Sequence, residues 1–149
     1  MTVQDDAAQL GQMDIRSGLA PGATLGVFGG GQLGRMFGIA ARQLGYRFAV
    51  FSDDEDGPAA QVADWAVRGS YDDEAAVAAF AQRVDAVTFE FENVPSIAGE
   101  TAARYVPVRP HGGLLHTVQD RHREKLGLSG LGLEVAPFAS ITSEAELAA

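Results

Sequence analysis

The sequence predicts an α/β fold, a Rossmann-like parallel sheet flanked by helices. Three observations point there. A short apolar run, residues 25–28, leads straight into glycines spaced G-x-G-x-x-G at Gly29, Gly31 and Gly34, and a segment of helical spacing follows at once. Short apolar segments then alternate with helix-period segments, the pattern of right-handed crossovers onto a parallel sheet. The composition, 46% hydrophobic and 21% charged over 149 residues, is that of an ordinary globular chain able to bury a core.

The elements are read in chain order. Residues 24–28 read as a first strand, and residues 32–44 as a helix with Leu33, Met36, Phe37, Ala40 and Leu44 on one face. Gly45 suits the position just past a helix end. Residues 47–51 form a second strand, closed by the acidic loop Ser52-Asp53-Asp54-Glu55-Asp56-Gly57-Pro58. A short helix is expected over 58–63 and a third strand over 65–68. Asp72 or Asp73 can cap a helix running to about residue 84. Residues 85–89 form a fourth strand, Ser96 caps a helix to residue 104, and residues 106–108 make a short fifth strand ending at Pro110. Beyond it, residues 111–128 carry the helix-prone run Gln119-Asp-Arg-His-Arg-Glu-Lys125, and Gly127, Gly130 and Gly132 break up the chain. Ser143-Glu-Ala-Glu146 has the form of a capping box. The helix it opens is cut off after one turn and cannot bury a face, so the end is expected to be a boundary within a longer protein.

Charge and composition exclude several classes of function. Eleven basic residues against twenty acidic ones give −9 at pH 7, which argues against nucleic acid or an anionic membrane as the main partner. With no cysteine there is neither a disulfide framework nor a thiolate metal site. No apolar run approaches the roughly 18 residues needed to span a bilayer. Residues 1–22 lack the apolar stretch and basic start of a secretion signal and read as a flexible N-terminal tail. A cytoplasmic protein is the default expectation.

In parallel sheets ligands bind outside the carboxyl ends of the strands, and the glycine loop, Asp53 and residues 90–93 all fall there. Glycine lets backbone approach a ligand closely, and the next helix offers free N–H groups. The same glycines also suit a tight turn with no ligand. Gln32, just inside the helix, can hydrogen-bond a ligand or simply face water. Asp53, roughly twenty positions past the loop, stands where dinucleotide sites place a ribose-binding acid, or it adds solubility beside its acidic neighbours. Glu90 and Glu92, two apart, face the same side if the strand continues through them. They can hold a cation, an amine or sugar hydroxyls, or begin a polar loop. His111, His116 and His122 lack metal-like spacing and are expected at the surface. Arg121, Arg123 and Lys125 can bind phosphate or form a solvated face.

Several motifs stand together in one order: Gly29-Gly-Gly-Gln-Leu-Gly-Arg-Met36, Pro58-Ala-Ala-Gln-Val-Ala-Asp64, Thr88-Phe-Glu-Phe-Glu-Asn-Val94, Pro107-Val-Arg-Pro110, Gln119-Asp-Arg121 and Val135-Ala-Pro-Phe138. In this the chain, from about residue 23 to 149, closely resembles the N-terminal part of carboxyaminoimidazole ribonucleotide synthetases, ATP-grasp enzymes of purine synthesis. The resemblance implies a pre-ATP-grasp, substrate-binding domain over 23–110. A linker helix and the truncated start of an ATP-grasp domain then occupy 111–149. It implies a ligase that uses ATP and Mg to carboxylate aminoimidazole ribonucleotide with bicarbonate through carboxyphosphate, as a homodimer in its full-length form. Gly31, Gln32, Leu33, Asp53 and Glu90 would then lie at the substrate, with Glu90 on its ribose or amine. Arg121 would contact ATP phosphates, a task that suits a guanidinium fork.

The chain departs from the family pattern where His111-Gly112-Gly113 replaces Ser-Pro and Lys125-Leu-Gly-Leu replaces Lys-x-Phe-Leu, which leaves the course of the linker helix open. The family's ATP-binding lysines, magnesium carboxylates and substrate-phosphate residues lie downstream, so this chain alone is expected to be inactive, with no catalytic residue or metal ligand of its own. Three rival expectations remain. The first is a dinucleotide-binding regulatory module in which the loop and Asp53 hold NAD, although Phe89-Glu-Phe-Glu-Asn93 and Gln119-Asp-Arg121 then have no role. The second is a formate-using glycinamide transformylase, which typically has glutamate at the Gln32 position. The third is a non-enzymatic dimerisation domain.

Overall fold

The computed structural model describes residues 18–54 and 56–147. Four strands form one parallel sheet in the order β3-β2-β1-β4. They are β1 (Thr24–Phe28), β2 (Arg47–Ser52), β3 (Trp65–Arg68) and β4 (Ala86–Phe89). Val27 of β1 pairs with Val50 of β2 and Thr88 of β4, so β1 is central. Both of its faces are covered, which is why the strands read as unbroken apolar runs rather than alternating ones. Val27, Phe48 and Val50 point to one side with Ala59, while Phe28, Ala49 and Phe51 point to the other with Val77, Phe80 and Val87. The second side holds the larger core. There Phe28 meets Phe51 edge-on at 5.7 Å between ring centroids and Phe80 at 5.7 Å. Each such buried phenyl contributes about 1.5–3 kcal/mol from area removed from water.

The helix after the glycine loop, α1 (Gln32–Gln43), buries Gly34, Gly38 and Ala41. The apolar face expected from the sequence points outward instead: Leu33 is 61%, Met36 65% and Leu44 68% exposed. The cause is close approach. A Cβ on Gly38 would lie 2.4 Å from the Phe48 ring, so only a small-residue face can sit against the sheet here. A 3₁₀ turn (Ala60–Val62) fills the place of the expected short helix. Asp64, which ends that motif, accepts from the Phe48 N–H at 2.8 Å and pairs with Arg42 at 2.8 Å, holding the far end of the sheet.

On the other face, α2 (Glu74–Ala81) is capped by Asp73, whose carboxylate accepts from the N–H groups of Ala75 and Ala76. It ends sooner than expected. In α3 (Ser96–Ala102) Ser96 is the first helical residue rather than the cap, a position that falls to Pro95. The expected fifth strand reduces to a single parallel bridge, Val87 to Val108. Pro107 and Pro110 flank it, and proline has no N–H with which to lengthen a ladder.

The helix-prone run after Pro110 splits into α4 (Gly112–Val118) and α5 (Arg121–Gly130). The helix α5 runs through Gly127 to Gly130 instead of breaking at the first glycine. Lys125 Nζ donates to the Ala136 carbonyl, and the Phe138 ring packs near Lys125 and His122, so the segment 135–138 lies back along α5. The Thr142 N–H donates to the Glu146 carboxylate and the Glu146 N–H to Ser143 Oγ, which caps α6 (Glu144–Leu147). The proposed tail lies largely outside the described residues. Its last part is anchored: the Gly22 N–H donates to the Gly45 carbonyl and the Tyr46 hydroxyl to that of Leu19.

Candidate functional site

A connection leaves the sheet at the carboxyl end of each of its four strands, and ladder hydrogen bonds continue past the strand ends to place them. The Gly29 N–H donates to the Phe51 carbonyl, Glu90 N–H to Phe28, and Gly69 N–H to Ser52. The result is a cleft of about 160 Å³ lined by Gly30, Gly31, Ser52, Asp53, Asp54, Tyr71, Glu90 and Phe91. A cleft therefore lies where the parallel-sheet rule expects one.

Glu90 organises the loop. Its Oε1 accepts from the Gly31 N–H at 3.0 Å and its Oε2 from the Gly34 N–H at 2.7 Å. Gly31 is the N-cap of α1, offers no side-chain cap, and the first turn of α1 has no acid of its own. A carboxylate from the end of β4 fills that need and complements the positive end of the helix. The glycine spacing reflects the same contact. Gly29 has φ of +126°, and a Cβ there would lie 2.0 Å from Glu90 Cγ; one on Gly31 would lie 2.6 Å from Oε1. Neither open alternative for the glycines, an external ligand or a bare turn, anticipated that the chain supplies the anion itself.

Tyr71 and Ser52 are cleft residues that sequence reasoning missed. Tyr71 is 7% exposed and its hydroxyl donates to the Phe51 carbonyl at 3.3 Å. Burial pushes its phenol up to about 12; a hydrogen bond with Ser52 opposes the rise and the charges of Asp53 and Glu90 add to it. The phenol is therefore neutral at physiological pH. Ser52, the buried last residue of β2, accepts from the Asp54 N–H at 3.1 Å. A signal existed for both: they stand at or just past strand ends on the ligand rim.

Of the residues singled out from the sequence, Gly31, Asp53 and Glu90 meet at the cleft. Gln32 and Leu33 sit exposed on the first turn of α1, beside the cleft but not lining it. Glu92 is exposed, and its carbonyl, with that of Val94, accepts from Gln119 Nε2. The Gln119-Asp120-Arg121 motif thus acts as a joint. Gln119 ties the linker to the loop after β4, and Asp120 caps α5 by accepting from the Arg123 N–H at 2.8 Å. That bond holds the Asp120 carboxyl below its usual range. Arg121 opens α5, exposed and paired with Glu124, away from the cleft. His111 caps α4, its Nδ1 accepting from the Gly113 N–H at 3.0 Å. Among the described residues no three histidine or carboxylate groups gather where they could hold a metal ion.

The model of the ribonucleotide synthetase preATP-grasp domain matches residues 22–119. The chain belongs to that family. This preATP-grasp chain is 41% identical over 134 residues to the N5-carboxyaminoimidazole ribonucleotide synthase of Brucella melitensis, covering 90% of the chain and 37% of that protein. Its fold superposes on the Staphylococcus aureus N5-carboxyaminoimidazole synthetase complexed with ADP at a TM-score of 0.81, with 34% identity over 87% of the chain and 35% of the other. A third relative, the Aspergillus clavatus N5-carboxyaminoimidazole synthase in complex with ADP and 5-aminoimidazole ribonucleotide, gives 0.72, with 34% identity over 85% of this preATP-grasp chain and 35% of the other. The chain spans about a third of the length of the Brucella melitensis and Bacillus subtilis synthases it matches.

Proposed function

We propose that the chain is the N-terminal substrate-binding part of an ATP-dependent ligase that carboxylates aminoimidazole ribonucleotide with bicarbonate in de novo purine biosynthesis. The observation that carries this is the 41% identity across 90% of the chain to a synthase of that name. In this reading Gly31, Asp53 and Glu90 face the ribonucleotide from the cleft, and Gln32 and Leu33 reach it from the first turn of α1. Glu90 serves its ribose or amine, and Arg121 releases Glu124 to grip ATP phosphates. Holding the ribonucleotide on a rigid sheet edge orients its amine toward the carboxylating species, which is the contribution a substrate domain can make to rate.

In this reading Mg and most of the contacts to ATP are supplied by the part of the enzyme beyond this chain. The acidic surface, at −9, supports a small-molecule partner rather than nucleic acid or an anionic membrane. Among the described residues no helix is long and apolar enough to cross a membrane. We place the full-length enzyme in the cytoplasm, as a homodimer.

The NAD alternative is disfavoured by one observation: the Glu90 carboxylate occupies the Gly31 and Gly34 N–H groups, two of those on which a pyrophosphate would rest. The test is phosphate release from ATP and bicarbonate, with and without aminoimidazole ribonucleotide, by this chain and by the product of the uninterrupted reading frame. Substrate-stimulated release by the longer form, and none by the chain alone, is expected. A longer form that releases no phosphate overturns the proposal.

A further inference from the structure

We infer that Glu90 is a specificity-determining residue, a built-in anion that keeps phosphate out of the glycine loop and turns the cleft toward a ligand's hydroxyl or amine groups. That the ligand is a ribonucleotide rests on the function proposed above; the exclusion of phosphate does not.

The N-terminus of a helix behind a glycine loop is a general anion site, because unpaired N–H groups and the helix dipole converge there. In this chain two of the converging donors, the Gly31 and Gly34 N–H groups, are already taken by the two oxygens of one side chain. The glycines are cut to the shape of that carboxylate, since a Cβ at Gly29 or Gly31 would collide with it. An incoming phosphate would have to displace Glu90, then lie beside Asp53 and Asp54 in a cleft lined by no basic side chain. Like charges at such separations repel, and the partly buried setting screens them less than bulk water does.

A donor-bearing group meets the opposite situation. Each carboxylate oxygen has about two lone-pair sites, and the loop uses one on each, so Glu90 keeps an acceptor free on either oxygen. Asp53 and Asp54 add further acceptors on the same wall. Hydroxyls or an amine are therefore welcomed where a phosphate is refused. A ribonucleotide enters with its phosphate pointing away from the loop.

The test is an NMR titration of the isotope-labelled chain with inorganic pyrophosphate at matched ionic strength, monitoring the Gly31 and Gly34 amide signals. The wild-type signals are expected to stay in place. In Glu90→Gln, which preserves shape and one acceptor but not the charge, and in Glu90→Ala, those same signals are expected to move, with pyrophosphate bound at least about tenfold more tightly. The inference is overturned if pyrophosphate shifts the wild-type Gly31 and Gly34 signals, or if Glu90→Gln with an otherwise native spectrum shows no gain. The wild-type titration stands even if Glu90→Ala does not fold. No purine substrate enters the experiment, so its failure leaves the ligase proposal to its own assay.

Discussion

The site is decided by single side chains whose positions are set far along the sequence. Gly31 and Glu90 are 59 residues apart, yet the loop takes its shape from their hydrogen bond. Tyr71 shows how burial changes chemistry. Its phenol would ionise near 10 in an unfolded chain but is pushed up to about 12 in the fold. A raised folded-state value means that the folded form keeps its proton while the unfolded form loses it. Stability is therefore unaffected by this group below pH 10 and falls as pH rises from 10 through about 12. Tyr71→Phe is expected to remove a tyrosinate absorbance step near pH 12 and to flatten that alkaline loss, as chemical denaturation across the window will test. A loss of the same size in the variant would count against this account. Neither Tyr71 nor Ser52 carries a motif, so both escaped notice; the sheet brings Tyr71 beside Ser52 and Asp53.

At the level of elements, strands were easier to read than the faces of helices. The apolar run of β1 gives that strand its bounds, because a strand covered on both sides has no polar face to blur them. The helix α1 is different. Its conspicuous apolar stripe marks where large residues are, whereas burial depends on how close the neighbour comes. Phe48 already fills the space beneath α1, so the helix seats Gly34, Gly38 and Ala41 against the sheet. Gly38→Val is expected to destabilise by about 1–3 kcal/mol through overpacking, while Leu33→Ala or Met36→Ala changes stability by less than about 0.5 kcal/mol. Urea unfolding of the three variants measures this, and a larger loss at Leu33 than at Gly38 would refute the assigned face. The fifth strand failed for a related reason: residues 106–108 have strand chemistry, but Pro107 among them and Pro110 just beyond leave room for one bridge.

For the whole molecule, burial is confined to one part of the chain. The cores lie between Val27 and Leu115, and α5 and α6 bury no residue. Deleting the chain from Leu131 onward is therefore expected to change unfolding free energy by less than about 0.5 kcal/mol, measured by the same denaturation. A cooperative loss of several times that size would show the segment to be part of the folding unit. The joint between the sheet domain and the C-terminal helices is local: Gln119 holds the carbonyls of Glu92 and Val94, so the linker is tied to the strand end that also carries Glu90.

The sequence by itself determined the parallel α/β order, the rim on which a cleft opens and, through linked motifs, the family. Those properties depend on local periodicity and on residue types at fixed spacing, which a chain displays without being folded. Tertiary structure alone decided which face of α1 is buried, that Tyr71 and Ser52 join the cleft, and that the glycine loop grips a carboxylate of its own chain. Each of these is a contact between segments distant in sequence, and no local pattern encodes how closely two such segments approach.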